Sequence, residues 1–481
     1  MTAVTLPVVD DTVLQALQRP SEYCGVMGVI GADEAAHLAY LGLYALQHRG
    51  QESAGIVAGD GEELVRHIGE GLVADVFTED DLRRLSGKTA LGHVRYATAG
   101  DGAQKLRDAQ PLLVQCAAGP VAVAHNGNLT NAKALRQELE ENGSIFQTSS
   151  DTEVICHLIA RGEGQSLLKR VQDALVRVEG AYSLVISGDG RLYGVRDPLG
   201  IRPLSIGKVR GGYVLASETC AFDLIEAEYV RDVEPGEVVV LDGDGIRSER
   251  LPHAGDNRAR CVFEHVYFAR PDSVVFEAPV FATRQAMGAR LAKEAPADGD
   301  VVVPVPDSGI HAAMGYAREA GLPFEMGLVR NHYVGRTFIE PEQRIRNFGV
   351  RLKLNPVVPL IKGKRVIVVD DSIVRGTTSR KIVEMVRAAG AKEVHLRISA
   401  PATSSPCFFG IDTPTRKELI ASKMDTDAIA AHVGCDSLAY LSREGLMLAL
   451  GKDGGTPPEN GYCDACFSGE YPLDVDAMWT E

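Results

Sequence analysis

Val366-Ile367-Val368-Val369-Asp370-Asp371-Ser372-Ile373-Val374-Arg375-Gly376-Thr377-Thr378-Ser379 decides the fold of the second half of the chain. Four apolar residues run into paired carboxylates, then into a loop of hydroxyls and one glycine. A continuous apolar run, without alternation, is what a parallel strand buried on both faces requires. Behind it Ile382, Val383, Val386 and Ala389 share one helical face, and Gly390 supplies the stop. The runs at 301–306 and 394–399 have the same apolar texture. Strand, crossover helix and strand make a βαβ unit, so this half reads as a doubly wound α/β sheet. The loop has the physics of a phosphate site: backbone N–H groups and a helix N-terminus attract an anion. The carboxylates can receive ribose hydroxyls or hydrated Mg²⁺. Its spacing fits neither the Walker A loop nor the dinucleotide glycine fingerprint. A plain capped turn accounts for Ser372 and Thr378, but not for two adjacent aspartates at the end of an apolar strand.

The first half is different. Short apolar runs alternate with glycine turns at 24–31, 121–128, 182–190, 192–197 and 212–218. With helical stretches at 34–47, 154–160 and 166–178, this reads as an α+β unit with largely antiparallel sheet. Polar, turn-rich residues near 253–260 mark a boundary, which divides the chain into 24–257, 258–440 and a glycine- and proline-rich tail over 441–481. The composition, 45% hydrophobic and 24% charged over 481 residues, excludes wholesale disorder. No apolar stretch approaches the ~20 residues of a membrane span, so a soluble protein is expected. Fifty basic against 65 acidic residues, a net charge of −15, argue against non-specific nucleic-acid binding. One basic patch, Arg330, Arg336, Arg344, Arg346, Arg351, Lys353, Lys362, Lys364 and Arg365 against Glu340 and Glu342, suggests a small polyanionic ligand. Residues 1–23 lack the basic start and apolar core of a secretory signal, so the nine cysteines are expected reduced in a cytoplasm.

Cys24 opens an apolar strand, where a cysteine is ordinarily a core residue. Other clusters change its reading: His48-Arg49-Gly50-Gln51, Gly92-His93-Val94-Arg95-Tyr96, His125-Asn126-Gly127-Asn128 and Ser149-Ser150-Asp151. Taken singly, Asn126-Gly127 is a turn dipeptide and Asp151 a helix N-cap. Together, and in this order, they resemble the glutaminase domain of the N-terminal-nucleophile amidotransferases, an αββα sandwich. The resemblance implies that 1–23 is a propeptide and Cys24 the mature first residue. A free α-amine titrates near 8 and a thiol near 8.5, so the amine can serve as base for its own side chain. It further implies Asn126 and the N–H of Gly127 as oxyanion donors, Arg95 on the glutamine carboxylate and Asp151 on its ammonium. Arg49 belongs with the glutamine-binding set, either behind the ligand or at a domain contact.

The 366–379 segment, in turn, looks like the phosphoribosylpyrophosphate (PRPP) signature of type I phosphoribosyltransferases. That likeness implies a PRPP site built from Asp370, Asp371, Ser372, Arg375, Gly376, Thr377 and Thr378. It casts Asp307 and Ser308 as the pyrophosphate loop, with Ser308, Asp370 and Asp371 near Mg²⁺. Segment 333–353 resembles a flexible loop that closes over PRPP. A glutaminase followed by a phosphoribosyltransferase resembles the amidophosphoribosyltransferase family, which opens de novo purine synthesis. The implied reaction uses ammonia from glutamine to displace pyrophosphate at C1 of PRPP. Purine nucleotides as feedback inhibitors and a homo-oligomer are expected with it.

Cys463-Asp464-Ala465-Cys466 is a C-x-x-C pair whose partners spacing alone leaves open, and a Cys₄ zinc site or a redox pair would satisfy it equally. Some amidophosphoribosyltransferases carry a [4Fe-4S] cluster, and the stretches around Cys261, Cys407, Cys463 and Cys466 resemble their ligand positions. The remaining Cys116, Cys156, Cys220 and Cys435 are expected as buried small hydrophobes. Two other functions compete: the same glutaminase feeding a sugar phosphate or aspartate, and a non-catalytic PRPP or nucleotide sensor. The 366–379 loop disfavours the former, and Cys24, Arg95, Asn126 and Asp151 disfavour the latter.

Overall fold

A computed structural model describes residues 24–61, 63–95, 106–331, 354–411, 413, 415–451 and 461–478; the leader 1–23 and the segment 333–353 lie outside the described residues. Two antiparallel sheets face each other in the first half. The seven-stranded sheet runs Glu228–Asp232, Ser205–Val209, Gly212–Ala216, Gly25–Ile30, Thr89–Arg95, Ser53–Gly59, Leu64–Glu70. The six-stranded sheet runs Gly245–Arg250, Glu237–Asp242, Arg191–Arg196, Gly180–Gly188, Gly119–Leu129, Leu112–Cys116. Val26, Leu91 and Leu215 from one sheet meet Ala124, Val185 and Val239 from the other in a single apolar layer. Outer faces are covered by helices: Ala35–Ala45 packs on the first sheet, Thr152–Arg161 and Leu167–Leu175 on the second. This is the expected αββα sandwich. Strands such as Gly25–Ile30 are buried at every residue because both faces are covered, which explains their unbroken apolar texture.

The second half carries a four-stranded parallel sheet, ordered Val301–Pro304, Arg365–Asp370, Glu393–Ile398, Ser437–Tyr440. Its strands alternate faces as the period of two demands. Val302, Ile367 and Val369 pack against helices Val280–Glu294 and Ile310–Ala320. Val301, Val303, Val366 and Val368 pack against Thr377–Ala388 and Thr426–Val433. The 366–379 reading therefore holds: strand, loop and helix are where the sequence puts them, and the sheet is doubly wound.

Two expectations need correction. The chain after 440 is not only a wrapped tail, because Arg443–Ala449 forms a helix with Leu446 and Ala449 in the core beside Val280–Glu294. Ser442 caps it, its hydroxyl accepting from the Gly445 N–H at 2.8 Å. The basic patch is also divided. Arg365 begins the strand that Asp370 ends, about 16 Å away at ~3.3 Å per residue. There Arg365 pairs with Asp298 and Asp300 instead of facing the phosphate loop. Arg330 reaches the neighbouring loop at 305–309, pairing with Asp307 at 2.5 Å. Cys156 and Cys220 are buried as expected, whereas Cys116 and Cys435 are half-exposed.

Candidate active sites

Cys24 immediately precedes the strand Gly25–Ile30, near the middle of the seven-stranded sheet. The pairing of Gly25 with Val94 sets Cys24 beside Arg95, the last residue of its neighbour strand. Arg95 donates to the Asp108 carboxylate at 3.3 Å, and Asp108 is itself held by the Ser149 N–H and hydroxyl at 2.8 and 2.6 Å. The guanidinium is thus oriented toward carboxylate chemistry. Across the sandwich, His93 bonds the His125 carbonyl at 3.1 Å and brings the strand carrying Asn126 alongside. Burial pushes His93 down to about 3, despite the pull of that carbonyl, so it is neutral at working pH.

Asn126 is fully buried, and neither its amide nitrogen nor its amide oxygen has a partner among the described residues. Gly127, next in the strand, has φ 152°, and a Cβ there would lie 2.0 Å from the Ala181 carbonyl oxygen. Only glycine fits. Asp151 stands at the N-cap of Thr152–Arg161 but gives no side-chain cap. Its carboxylate instead accepts from the Leu129 N–H at 3.0 Å and lies 3.5 Å from His125. Burial works to raise its pKa, yet His125 and the Leu129 and Thr152 N–H groups outweigh this and leave it lowered, hence ionised. Arg95 thus stands beside Cys24, Asn126 and Gly127 follow the residue to which His93 ties the facing sheet, and Asp151 is bonded to the far end of their strand.

Of the two placements expected for Arg49, its contacts are those of the domain contact. Its guanidinium is fully buried, forked onto Glu264 at 2.7 and 3.0 Å and bonded to Glu218, while Nε reaches the Cys24 carbonyl at 3.4 Å. Sequence reasoning missed Glu218, Glu264 and Arg202. The available signal for Glu264 was a lone acid inside the apolar run Val262–Phe268.

In the second half, the loop Val305–Gly309 meets the end of the Arg365–Asp370 strand through the Val305 N–H and Val369 carbonyl, 2.8 Å apart. The Pro306–Asp307 peptide is cis. Asp370 and Asp371 are buried, the Ser372 hydroxyl donates to Asp371 at 2.6 Å, and the Ser308 hydroxyl donates to its other oxygen. Gly376 caps the helix Thr377–Ala388, which carries Thr377 and Thr378 in its first turn. Arg375 pairs with Glu418 at 3.0 Å. Every predicted residue of this site therefore lies at the carboxyl edge of the parallel sheet, where doubly wound folds bind ligands.

The four cysteines meet as well. Arg260–Cys261 pairs in parallel with Tyr462–Cys463, register Cys261 opposite Cys463. Cys261, Cys407, Cys463 and Cys466 line one small, almost wholly apolar cavity with Phe263, Phe409, Ile411 and Tyr471. Burial pushes the Cys261 thiol up to about 12 and raises the other three, and their mutual proximity raises Cys463 and Cys466 further. Among the described residues, no three His, Cys, Asp or Glu side chains converge to hold a single metal ion.

Residues 93–223 match the glutamine amidotransferase domain family and 282–436 the phosphoribosyl transferase domain family. The chain is 53% identical to the chloroplastic amidophosphoribosyltransferase 2 of Arabidopsis thaliana over 95% of its length and 80% of that protein. It is 50% identical to the amidophosphoribosyltransferase of Bacillus subtilis (strain 168), covering 96% of each. The solved glutamine PRPP amidotransferase of B. subtilis, complexed with ADP and GMP, superposes with a TM-score of 0.88 at 50% identity, covering 94% of this chain and 98% of that one.

Proposed function

The chain belongs to the amidophosphoribosyltransferase family, and from that premise we propose how its residues divide the reaction. The enzyme transfers ammonia from glutamine to PRPP, giving 5-phosphoribosylamine, glutamate and pyrophosphate, the first step of de novo purine synthesis. Removal of residues 1–23 leaves Cys24 with a free amine that takes its thiol proton. The sulfur attacks the glutamine amide, and the developing oxyanion is received by Asn126 Nδ2 and the Gly127 N–H. Arg95 binds the α-carboxylate by a forked pair and Asp151 the α-ammonium. Ammonia leaves, and water resolves the thioester. The observation that carries this is the buried, unpartnered amide of Asn126: such a group costs about 1–3 kcal/mol and is retained where a ligand satisfies it.

At the other site, Asp370 and Asp371 hold the ribose hydroxyls of PRPP. Ser372, Arg375, Gly376, Thr377 and Thr378 hold its 5-phosphate, and Asp307 and Ser308 face the pyrophosphate. Ammonia positioned above C1 displaces that group. Ser308, Asp370 and Asp371 suit Mg²⁺, whose remaining ligands would be substrate oxygens, and the ion would neutralise charge on the leaving group. Four thiols lining one apolar cavity, drawn from three separate stretches of the chain, suit a [4Fe-4S] cluster. When bound, such a cluster would tie the domain contact, the transferase core and the tail together. A reducing cytoplasm, in which thiols able to ligate a cluster stay reduced, is the compartment that suits this reading. Regulation by purine nucleotides and homo-oligomeric assembly complete the reading, the former supported by the ADP and GMP of the solved relative. Glutamine-dependent release of pyrophosphate from PRPP and Mg²⁺ is the test; no release refutes it.

A further inference from the structure

From the domain contact we propose that Glu264 is a positioning residue for Cys24, acting through Arg49; this rests on the reading of Cys24 as the glutaminase nucleophile. Arg49, Arg202, Glu218 and Glu264 are all fully buried, two cations against two anions. Arg49, Arg202 and Glu218 belong to the sandwich, whereas Glu264 opens a π-helical turn, Glu264–Phe268, that follows it. π-Helical turns are rare and concentrate at functional sites. Glu264 takes both terminal nitrogens of Arg49 and lies 2.9 Å from an Arg202 nitrogen. Glu218 holds Arg49 from the other side, and is fixed by His48 at 2.7 Å, the Arg270 N–H at 2.9 Å and the Ser273 hydroxyl at 2.8 Å. The Phe268 ring lies 5.9 and 5.6 Å from the two guanidinium carbons.

Clamped in this way, the Arg49 guanidinium has its plane fixed, and its Nε is directed at the Cys24 carbonyl. The carbonyl plane fixes the backbone from which the amine and sulfur of Cys24 project. Glu264 thus sets the nucleophile's orientation from the transferase side. The turn is anchored there by Arg284 of the Val280–Glu294 helix, which donates to the His265 and Ala269 carbonyls at 2.8 Å each. Misplacing a reacting atom by about 1 Å costs on the order of 100-fold in rate without weakening substrate contacts elsewhere.

The test compares the full-length processed enzyme with Glu264→Gln, Glu264→Asp and Cys24→Ala. Readouts are kcat and KM for glutamine hydrolysis, ammonia-driven pyrophosphate release, and the rate at which a chloroketone analogue of glutamine alkylates Cys24, followed by mass. Glu264→Gln is expected to lose roughly 30- to 100-fold in kcat and alkylation rate, with glutamine KM within about three-fold and ammonia-driven transfer within about two-fold. Glu264→Asp should recover part of the loss. Equal alkylation of wild type and Glu264→Gln, or a parallel loss of both half-reactions, overturns the proposal. Should Glu264→Gln not accumulate as folded protein, Arg284→Lys loosens the turn without changing its charge; a three- to ten-fold loss of the same pattern is expected, and none overturns the idea. Failure of the chloroketone to label wild-type Cys24 refutes the nucleophile assignment itself, and Glu264 falls with it.

Discussion

Replacing Asn126 by alanine should move catalysis and stability in opposite directions. The side chain is fully buried and both its polar atoms lack partners among the described residues, so the resting protein bears the cost of a desolvated amide, about 1–3 kcal/mol. Truncation removes that cost and opens a void of about 25 Å³, worth about 0.6 kcal/mol at ~24 cal/mol per Å³. The folded state therefore gains between about 0.5 and 2.5 kcal/mol. In the proposed glutaminase transition state the same amide is satisfied by the oxyanion, and losing one such donor lowers kcat by about 10²–10³-fold, or ~3–4 kcal/mol. Glutamate release measures the chemistry and differential scanning fluorimetry the stability. Asn126→Ala should hydrolyse glutamine at least 100-fold more slowly and melt at the same temperature or a few degrees higher. A variant that melts much lower, or that retains glutamine turnover within three-fold, refutes the assignment of a donor held in reserve.

Intact mass of the purified protein should correspond to a chain beginning at Cys24, and Cys24→Ala should lose glutamine-dependent synthesis while keeping ammonia-dependent synthesis; a chain that still begins at Met1 would remove the base. Anaerobically purified protein should be brown with about four irons per chain, and Cys407→Ser should bleach it; colourless, zinc-loaded protein would contradict the cluster. Burial holds His93 at about 3 in the folded chain against ~6.5 unfolded, so between these values the unfolded state binds more protons and stability is lost as pH falls. From pH 7 to 5 this group alone removes about 2 kcal/mol, and His93→Gln should flatten melting-temperature profiles over that range; an unchanged slope would show that His93 is not the titrating group.

The sequence displays whatever is local. Asp370, Asp371 and the loop to Thr378 are legible because strand, turn and helix are contiguous, and the apolar run before them has one structural meaning. Asn126 is legible as a residue, but its missing partners are a property of the packed sandwich. The Arg49 cluster joins residues 49, 202, 218 and 264, and no spacing rule links carboxylates to guanidiniums over such separations. The cysteine pair 463 and 466 can be read from the chain, whereas its meeting with Cys261 depends on a two-residue parallel pairing too short to leave a pattern. The Arg443–Ala449 helix is hidden because seven residues give barely two turns of periodicity.

The loop that follows Cys407 lies directly against the strand end bearing Asn126 and Gly127. A Cβ on Gly410 would stand 3.1 Å from the Gly127 backbone, and the Asn128 amide donates to the Phe408 carbonyl at 2.9 Å. The amide-cleaving half is consequently not a detachable module. A fragment ending at the boundary near 257 would leave this edge bare and hydrated, and grafting a foreign glutaminase onto this transferase would succeed only if its corresponding edge accepted the same loop. The two catalysts are bound to inherit changes together.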